Sequence, residues 1–144
     1  MSSAIGAFGT LLKIGDGATP TENFTTIAEV SNISGPGLSM DTIDVTSHSS
    51  ADGWREYIAG QLEAGEITFD INYIPTEVTH NLAKGLLGDL AAKTRRNFQL
   101  VFPDAGSTTW KFTALVTGFE PSEPVDDKLA ASVSLKLSGK PTLV

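Results

Sequence analysis

Four stretches of this chain alternate apolar and polar residues with a period of two, and that spacing restricts the fold more than any other feature. In GEITFDINYI (65–74), Ile67, Phe69, Ile71 and Tyr73 fall on one side, and Glu66, Thr68, Asp70 and Asn72 on the other. NFQLVF (97–102) sets Phe98, Leu100 and Phe102 on one side. TTWKFTALVTGF (108–119) alternates Trp110, Phe112, Ala114 and Val116 with Lys111, Thr113, Leu115 and Thr117. Residues 130–138 alternate Ala131, Val133, Leu135 and Leu137 with Ser132, Ser134, Lys136 and Ser138. A strand turns successive side chains to opposite faces, so each stretch predicts a half-buried strand. Weaker signals place earlier strands near Leu11–Ile14, Thr26–Val30, Gly37–Met40 and Ile43–Thr46. Turns are expected at GDGATPTEN (15–23), SGPG (34–37), PDAGS (103–107) and EPSEPVDD (120–127).

One segment has a different period. In TEVTHNLAKGLLGDLAAK, Val78, Leu82, Leu86 and Leu90 recur every four residues, and Ala83, Leu87 and Ala91 widen the stripe. This predicts one α-helix over about residues 76–93, with Thr76 as its cap. Gly85 and Gly88 each weaken it by roughly 1 kcal/mol, so it must dock on a sheet to persist. His80 is expected at the surface or its boundary, beside the stripe. The fold class is therefore mainly β, a small sandwich or barrel with one flanking helix. At 144 residues the chain suits one domain with one core, and we read no internal repeat, linker or additional C-terminal domain.

Charge and composition exclude several functions. Residues 1–92 hold 12 acids against 3 bases, and residues 93–144 hold 7 bases against 5 acids. Only Lys93, Arg95 and Arg96 cluster, too few cations for a nucleic-acid grip. No cysteine is present, which excludes disulfides, thiolate metal sites and cysteine nucleophiles. No signal peptide is read at the start, and no stretch approaches the ~18 apolar residues of a membrane span.

The segment TSHSSADGWREYIAG (46–60) gathers Ser47, His48, Ser49 and Asp52. A hydrolytic triad is set by geometry in space, and no nucleophile elbow surrounds these residues, so a polar turn is the simpler reading. Asp44, His48 and Asp52 have a spacing that aligns on a helix, but IDVTSHSS is β-branched and serine-rich, so no metal site is expected. Glu66 and Asp70 share a strand face at about 13 Å, too far apart for a glycosidase pair. We expect no cofactor and no enzymatic activity.

About 20 residues separate the strand near Thr46 from the one at Glu66, a length that is uncommon in a compact domain unless it has a function. This long loop, about residues 47–64, carries Trp54, Arg55, Tyr57, Ile58 and Leu62. The four-residue spacing of Trp54, Ile58 and Leu62 is compatible with a helical turn or an amphipathic arm. Trp, Tyr and Arg are the residue types enriched at binding hot spots. The aromatic rings must pack on their own domain or on a neighbour.

The run IDVTSHSSADGWREYIAGQLEAGEITFDINYIP resembles the signature of phage tail tube proteins, the major tail proteins of long non-contractile tails. The matching positions are Asp44, Thr46, Gly53, Arg55, Glu56, Tyr57, Gly60, Gly65, Glu66, Ile67 and Phe69. The resemblance implies a tail-tube β-sandwich or barrel, similar to the ring proteins of type VI secretion. It implies six subunits to a ring, rings stacked into a tube, and a loop of Ser47, His48, Asp52, Trp54, Arg55, Tyr57, Ile58 and Leu62 reaching between subunits. Tape-measure, tail-tip and tail-terminator proteins are the implied partners. DNA passes through the lumen, in a virion tail assembled in the host cytoplasm. Asp44, Glu66 and Asp70 are candidates for an acidic lining that repels phosphate. The alternatives are a secreted type VI ring protein, a small hydrolase using His48, and a soluble ligand-binding sandwich.

Overall fold

The structure is a computed structural model and describes residues 3–143. Its body is a seven-stranded antiparallel sheet. The strands in chain order are β1 (Leu11–Gly15), β2 (Phe24–Thr26), β3 (Val30–Ser34), β6 (Glu66–Asn72), β7 (Arg95–Val101), β8 (Thr109–Ser122) and β9 (Ala130–Leu143). They lie side by side in the order β2-β1-β7-β8-β9-β6-β3. Two further strands, β4 (Ser39–Asp44) and β5 (Tyr57–Glu63), pair only with each other. The sheet curls into a half-barrel, and the single helix α1 (Leu86–Ala92) packs Leu86 and Leu90 into the hollow.

The period-two stretches form the core as the pattern requires. Ile67, Phe69 and Ile71 of β6 are buried opposite Leu135, Val133 and Ala131 of β9. Phe98 and Leu100 of β7 meet Phe112 and Trp110 of β8, and the Phe98 and Phe112 rings stack with centroids 5.9 Å apart. Each large side chain buried this way stabilises by about 1.5–3 kcal/mol. The residues between them make the solvent face, which is rich in Ser and Thr. Two bulges in β8–β9 pairing, between Lys111 and Thr113 and between Val116 and Gly118, bend the longest strands and let the sheet curl.

The helix is much shorter than the sequence stripe predicts. Residues 76–85 form consecutive turns, and only Leu86–Ala92 is α-helical. Backbone proximity explains the interruption. A Cβ at Gly85 would lie 2.5 Å from the Asn81 nitrogen, so the chain folds back on itself where a helix would continue. Asn81 Oδ1 accepts bonds from the Lys84 and Gly85 N–H groups and closes that turn. Val78 and Leu82, half of the predicted stripe, stay exposed. His80 is also not at the surface. It is fully buried, with Nδ1 accepting from the Ile74 N–H and Nε2 against the Ala28 carbonyl at 2.7 Å. With Nδ1 as acceptor, Nε2 carries the proton and donates. Thr79 Oγ1 accepts from the Ala28 N–H beside it. The two bonds to Ala28 latch the turn region onto the loop between β2 and β3, and the bond from Ile74 closes the turn itself.

At the other end of α1, Arg96 ties three elements together. Its Nε and Nη2 donate to the Gly15 carbonyl, and Nη1 donates to Asp89 Oδ1 at 2.8 Å. Burial pushes the Asp89 carboxyl above its usual range, and Arg96 opposes that shift without cancelling it.

Candidate functional site

The loop expected over 47–64 is largely a β-hairpin. Ser39, Met40, Thr42, Ile43 and Asp44 pair with Glu63, Leu62, Ala59, Ile58 and Tyr57, with a register shift between Met40 and Thr42. Gly60 and Gln61 of β5 stand opposite Asp41 alone of β4 there, which is a bulge. A Cβ at Gly60 would lie 2.9 Å from the Asp41 carbonyl oxygen, so this close strand approach favours glycine. The amphipathic helical turn suggested by Trp54, Ile58 and Leu62 does not form. Ile58 and Leu62 lie in a strand, and only a short 3-10 turn at Ala51–Gly53 interrupts the extended chain.

No residue of the two hairpin strands is buried. Register places Met40 beside Leu62 and Asp44 beside Tyr57 on one face, and Ile43 beside Ile58 on the other. Both faces thus carry large apolar residues, and both face solvent. Trp54 is 74% exposed and Leu62 80%. A two-stranded hairpin with no hydrophobic support is marginal in water. Contiguous exposed apolar surface of this kind marks a protein interaction site.

The base of the hairpin is rigidly held. Gly65 has φ +73°, and a Cβ there would intrude on the Gly37 carbonyl oxygen. Gly35 has φ +108°, and a Cβ there would lie 2.5 Å from the Glu66 carbonyl oxygen. Such contacts exclude side chains and bring the backbones together. The Leu137 N–H donates to the Gly65 carbonyl, and Lys136 Nζ donates to Glu63 Oε1 at 2.6 Å. Lys136 holds the Glu63 carboxyl below the usual range, and Glu63 raises Lys136 in turn.

The polar tip is a turn. Ser47 N–H donates to Ser50 Oγ, Ser49 N–H to Ser47 Oγ, and Ser50 Oγ–H to Glu56 Oε2. The Ser47 hydroxyl is engaged with backbone, and His48 takes no part in this network. Asp52 lies in the 3-10 turn with φ 53°. Asp44 Oδ1 accepts from the Thr46 N–H, and this bonding to Thr46 depresses its pKa, while Arg55 lies 3.8 Å from Oδ2. Among the described residues no three of His, Asp and Glu gather to hold a metal, and no helix is long and apolar enough to cross a membrane.

The three candidate lining acids lie on two different sheets. Asp44 is on the hairpin, whereas Glu66 and Asp70 stand on the solvent face of the main sheet. There Asp70 accepts from Ser132 Oγ, and Glu66 pairs across from Lys136. The same face presents Lys13, Arg95 and Lys111, so its charge is mixed and its bulk is hydroxyl.

A curled antiparallel half-barrel with open edges and a two-faced apolar hairpin defines a class: a structural subunit built to join copies of itself. The chain belongs to the lambda phage tail tube protein family, whose profile matches residues 15–144. No curated protein matches it. Solved structures match in fold. A subunit of the tail of an empty GTA particle, refined with C6 symmetry, is 23% identical with a TM-score of 0.77, over 98% of this chain and 99% of that one. A chain of the six-fold symmetrised anti-feeding prophage baseplate is 13% identical with a TM-score of 0.70, over 100% and 97%. The SPP1 tail tube chain is 13% identical with a TM-score of 0.64, over 93% and 75%.

Proposed function

We propose that this chain is the repeating subunit of a phage tail tube, six copies closing each ring and rings stacking around a channel that carries DNA. The observation that carries this reading is the β4–β5 hairpin, which presents apolar residues on both faces and buries neither. The family membership gives the tube, and the six-fold symmetry of the matched assemblies supports the ring size. Heterologous contacts between unlike edges, β2 on one side and β3 on the other, suit ring closure. Unpaired edge strands are otherwise open to aggregation.

On this reading the tube resides in the virion tail and is assembled in the host cytoplasm. A tape-measure protein occupies the lumen during assembly, and tip and terminator proteins close its ends. The subunit performs no catalysis. Ser47, His48, Asp52, Trp54, Arg55, Tyr57, Ile58 and Leu62 act in contacts between subunits. A solvent face of Ser and Thr hydroxyls with scattered charges of both signs offers phosphate no concentrated basic surface to bind, so DNA slides without sticking.

Negative-stain electron microscopy at rising concentration, with light scattering alongside, tests the proposal. Hollow tubes or six-fold rings are expected. A strictly monomeric protein, even when seeded with preformed tail tips, overturns it.

A further inference from the structure

The chain contains two Asp-Gly pairs, Asp16–Gly17 and Asp52–Gly53. Glycine sets no side chain beside its own nitrogen, so in such a pair that nitrogen can reach the aspartate carboxyl with little hindrance. Whether it does so depends on what holds the two groups. We propose that Asp52–Gly53, at the tip of the β4–β5 hairpin, is a site of covalent self-modification at which the folded monomer converts Asp52 to isoaspartate, while Asp16–Gly17 is protected. The inference is independent of the tube reading.

The chemistry needs only water. The Gly53 nitrogen bonds to Cγ of the neutral Asp52 carboxyl. The Cγ–OH bond breaks, and the hydroxyl leaves as water with the proton from the nitrogen. The product is a cyclic succinimide. Water then adds to one of its carbonyls. Addition at Cγ returns aspartate. Addition at the former backbone carbonyl breaks its bond to nitrogen and frees an α-carboxylate, so the main chain now runs through Cβ and Cγ. Water is lost once and gained once, and mass and charge are unchanged.

The two pairs are held very differently. At Asp16–Gly17 both reacting groups are engaged. The Gly17 N–H donates to Glu22 Oε2 at 2.8 Å. Asp16 Oδ1 accepts from the Ala18 and Asn23 N–H groups, and Oδ2 from Asn23 Nδ2. These bonds to Ala18 and Asn23 hold the carboxyl below its usual range, which keeps it in the charged, unreactive form. At Asp52–Gly53 the carboxylate has no partner among the described residues. Asp52 sits at φ 53° and ψ 25° in the 3-10 turn, and attack requires it to rotate about ψ. That rotation breaks only the Gly53 N–H bond to the Ser50 carbonyl, long at 3.4 Å, and the Trp54 N–H bond to the Ala51 carbonyl. No residue of the turn is buried, and exposed bonds of this kind open locally at little cost. The product adds one carbon to the main chain two residues before Trp54. The Ser50–Glu56 bond closes the short loop around it, so the added atom shifts Trp54 and Arg55 within that loop.

The test is to keep the folded protein warm at mildly acidic pH for days, then denature it and digest it with a protease that cuts before aspartate and not before isoaspartate. Mass spectrometry of the peptides reads the loss of cutting at each site, and enzymatic methylation of isoaspartate with a labelled methyl donor reads the total. Cutting before Asp52 is expected to disappear about tenfold or more faster than cutting before Asp16, the factor set by hydrogen bonds that must break before Asp16 can react. Asp52→Glu, which requires a larger ring, is expected to remove most of the methylation. Glu22→Ala combined with Asn23→Ala releases Gly17 and part of the Asp16 carboxylate, and is expected to raise the loss at Asp16 toward that at Asp52. Equal loss at the two sites in the wild-type chain, or faster loss at Asp16, overturns the protection. No loss at Asp52 in the folded protein overturns the site, and a guanidinium-unfolded sample, free to react at both pairs, shows that the assay detects the product.

Discussion

The main sheet and the hairpin are both antiparallel β-structure, yet they solve opposite problems. In the sheet, Ile67, Val133 and Leu135 are 0% exposed, and each strand has one wet face and one dry face. In the hairpin both faces carry large apolar residues and both are wet. The sheet is complete as a monomer. On the proposed reading, the hairpin is complete only beside another molecule. Stability and assembly are therefore encoded in separate residues, and each can be damaged without the other.

The largest separation is expected between the core of the sheet and the hairpin. Phe69→Ala leaves a cavity in the core beside Val133 and is expected to cost about 3–5 kcal/mol in urea unfolding of the monomer. Trp54→Ala is expected to leave monomer stability within ~0.5 kcal/mol, because nothing in its own chain buries it. The same change is expected to weaken association by about 2 kcal/mol or more, read as a rise in the concentration for tube formation. A Trp54→Ala monomer that unfolds early erases the contrast. His80→Ala lies between these extremes. It strips the Ala28 carbonyl and the Ile74 N–H of buried partners, an expected loss of ~1–3 kcal/mol in thermal unfolding. The smallest effect concerns the joint between the two regions. Glu63 is depressed by Lys136, so its contribution is present above the ordinary Glu value of 4.5 and disappears as pH falls through the lowered pKa. An NMR titration of the Gly65 and Lys136 amides is expected to show a step on that acid side, absent in Glu63→Gln. A step at the same pH in the variant assigns it to another group.

How legible each region was in the sequence follows from the same division. A strand with one buried face writes its structure as alternation, and Phe98, Phe112 and Val133 are where that pattern predicts. A hairpin with two apolar faces writes no alternation. Tyr57 and Ile58 are consecutive and fall on opposite faces, and Leu62 shares a face with Tyr57 only through a bulge at Gly60–Gln61 that only a partner strand makes visible. The spacing of Trp54, Ile58 and Leu62 therefore mimicked a helix. The helix itself was overextended because Gly85 registers in sequence as a modest propensity cost, while in space it marks a backbone contact. His80 gave no signal of burial. Its neighbours in the fold are carbonyl and amide groups about 52 residues distant or in the preceding turn, which a linear pattern does not display. The exposed loop chemistry was legible: residues 46–60 carry the chain's unshielded Trp, and the structure keeps it unshielded.

The glycine contact at the hairpin base has a mechanical meaning. Gly65 and Gly37 touch backbone to backbone, so no side chain there can bend or re-orient under load. A pull on Trp54 travels down β5 to Gly65 and crosses through its carbonyl to Leu137. It then enters β9, a 14-residue strand bonded on both sides by β8 and β6. Force applied by a neighbouring subunit is thus spread in shear over the middle of the sheet, far from either open edge. A joint of this kind behaves as a stiff coupling, and a tube built from it yields by small rotations shared among many subunits before any one subunit tears.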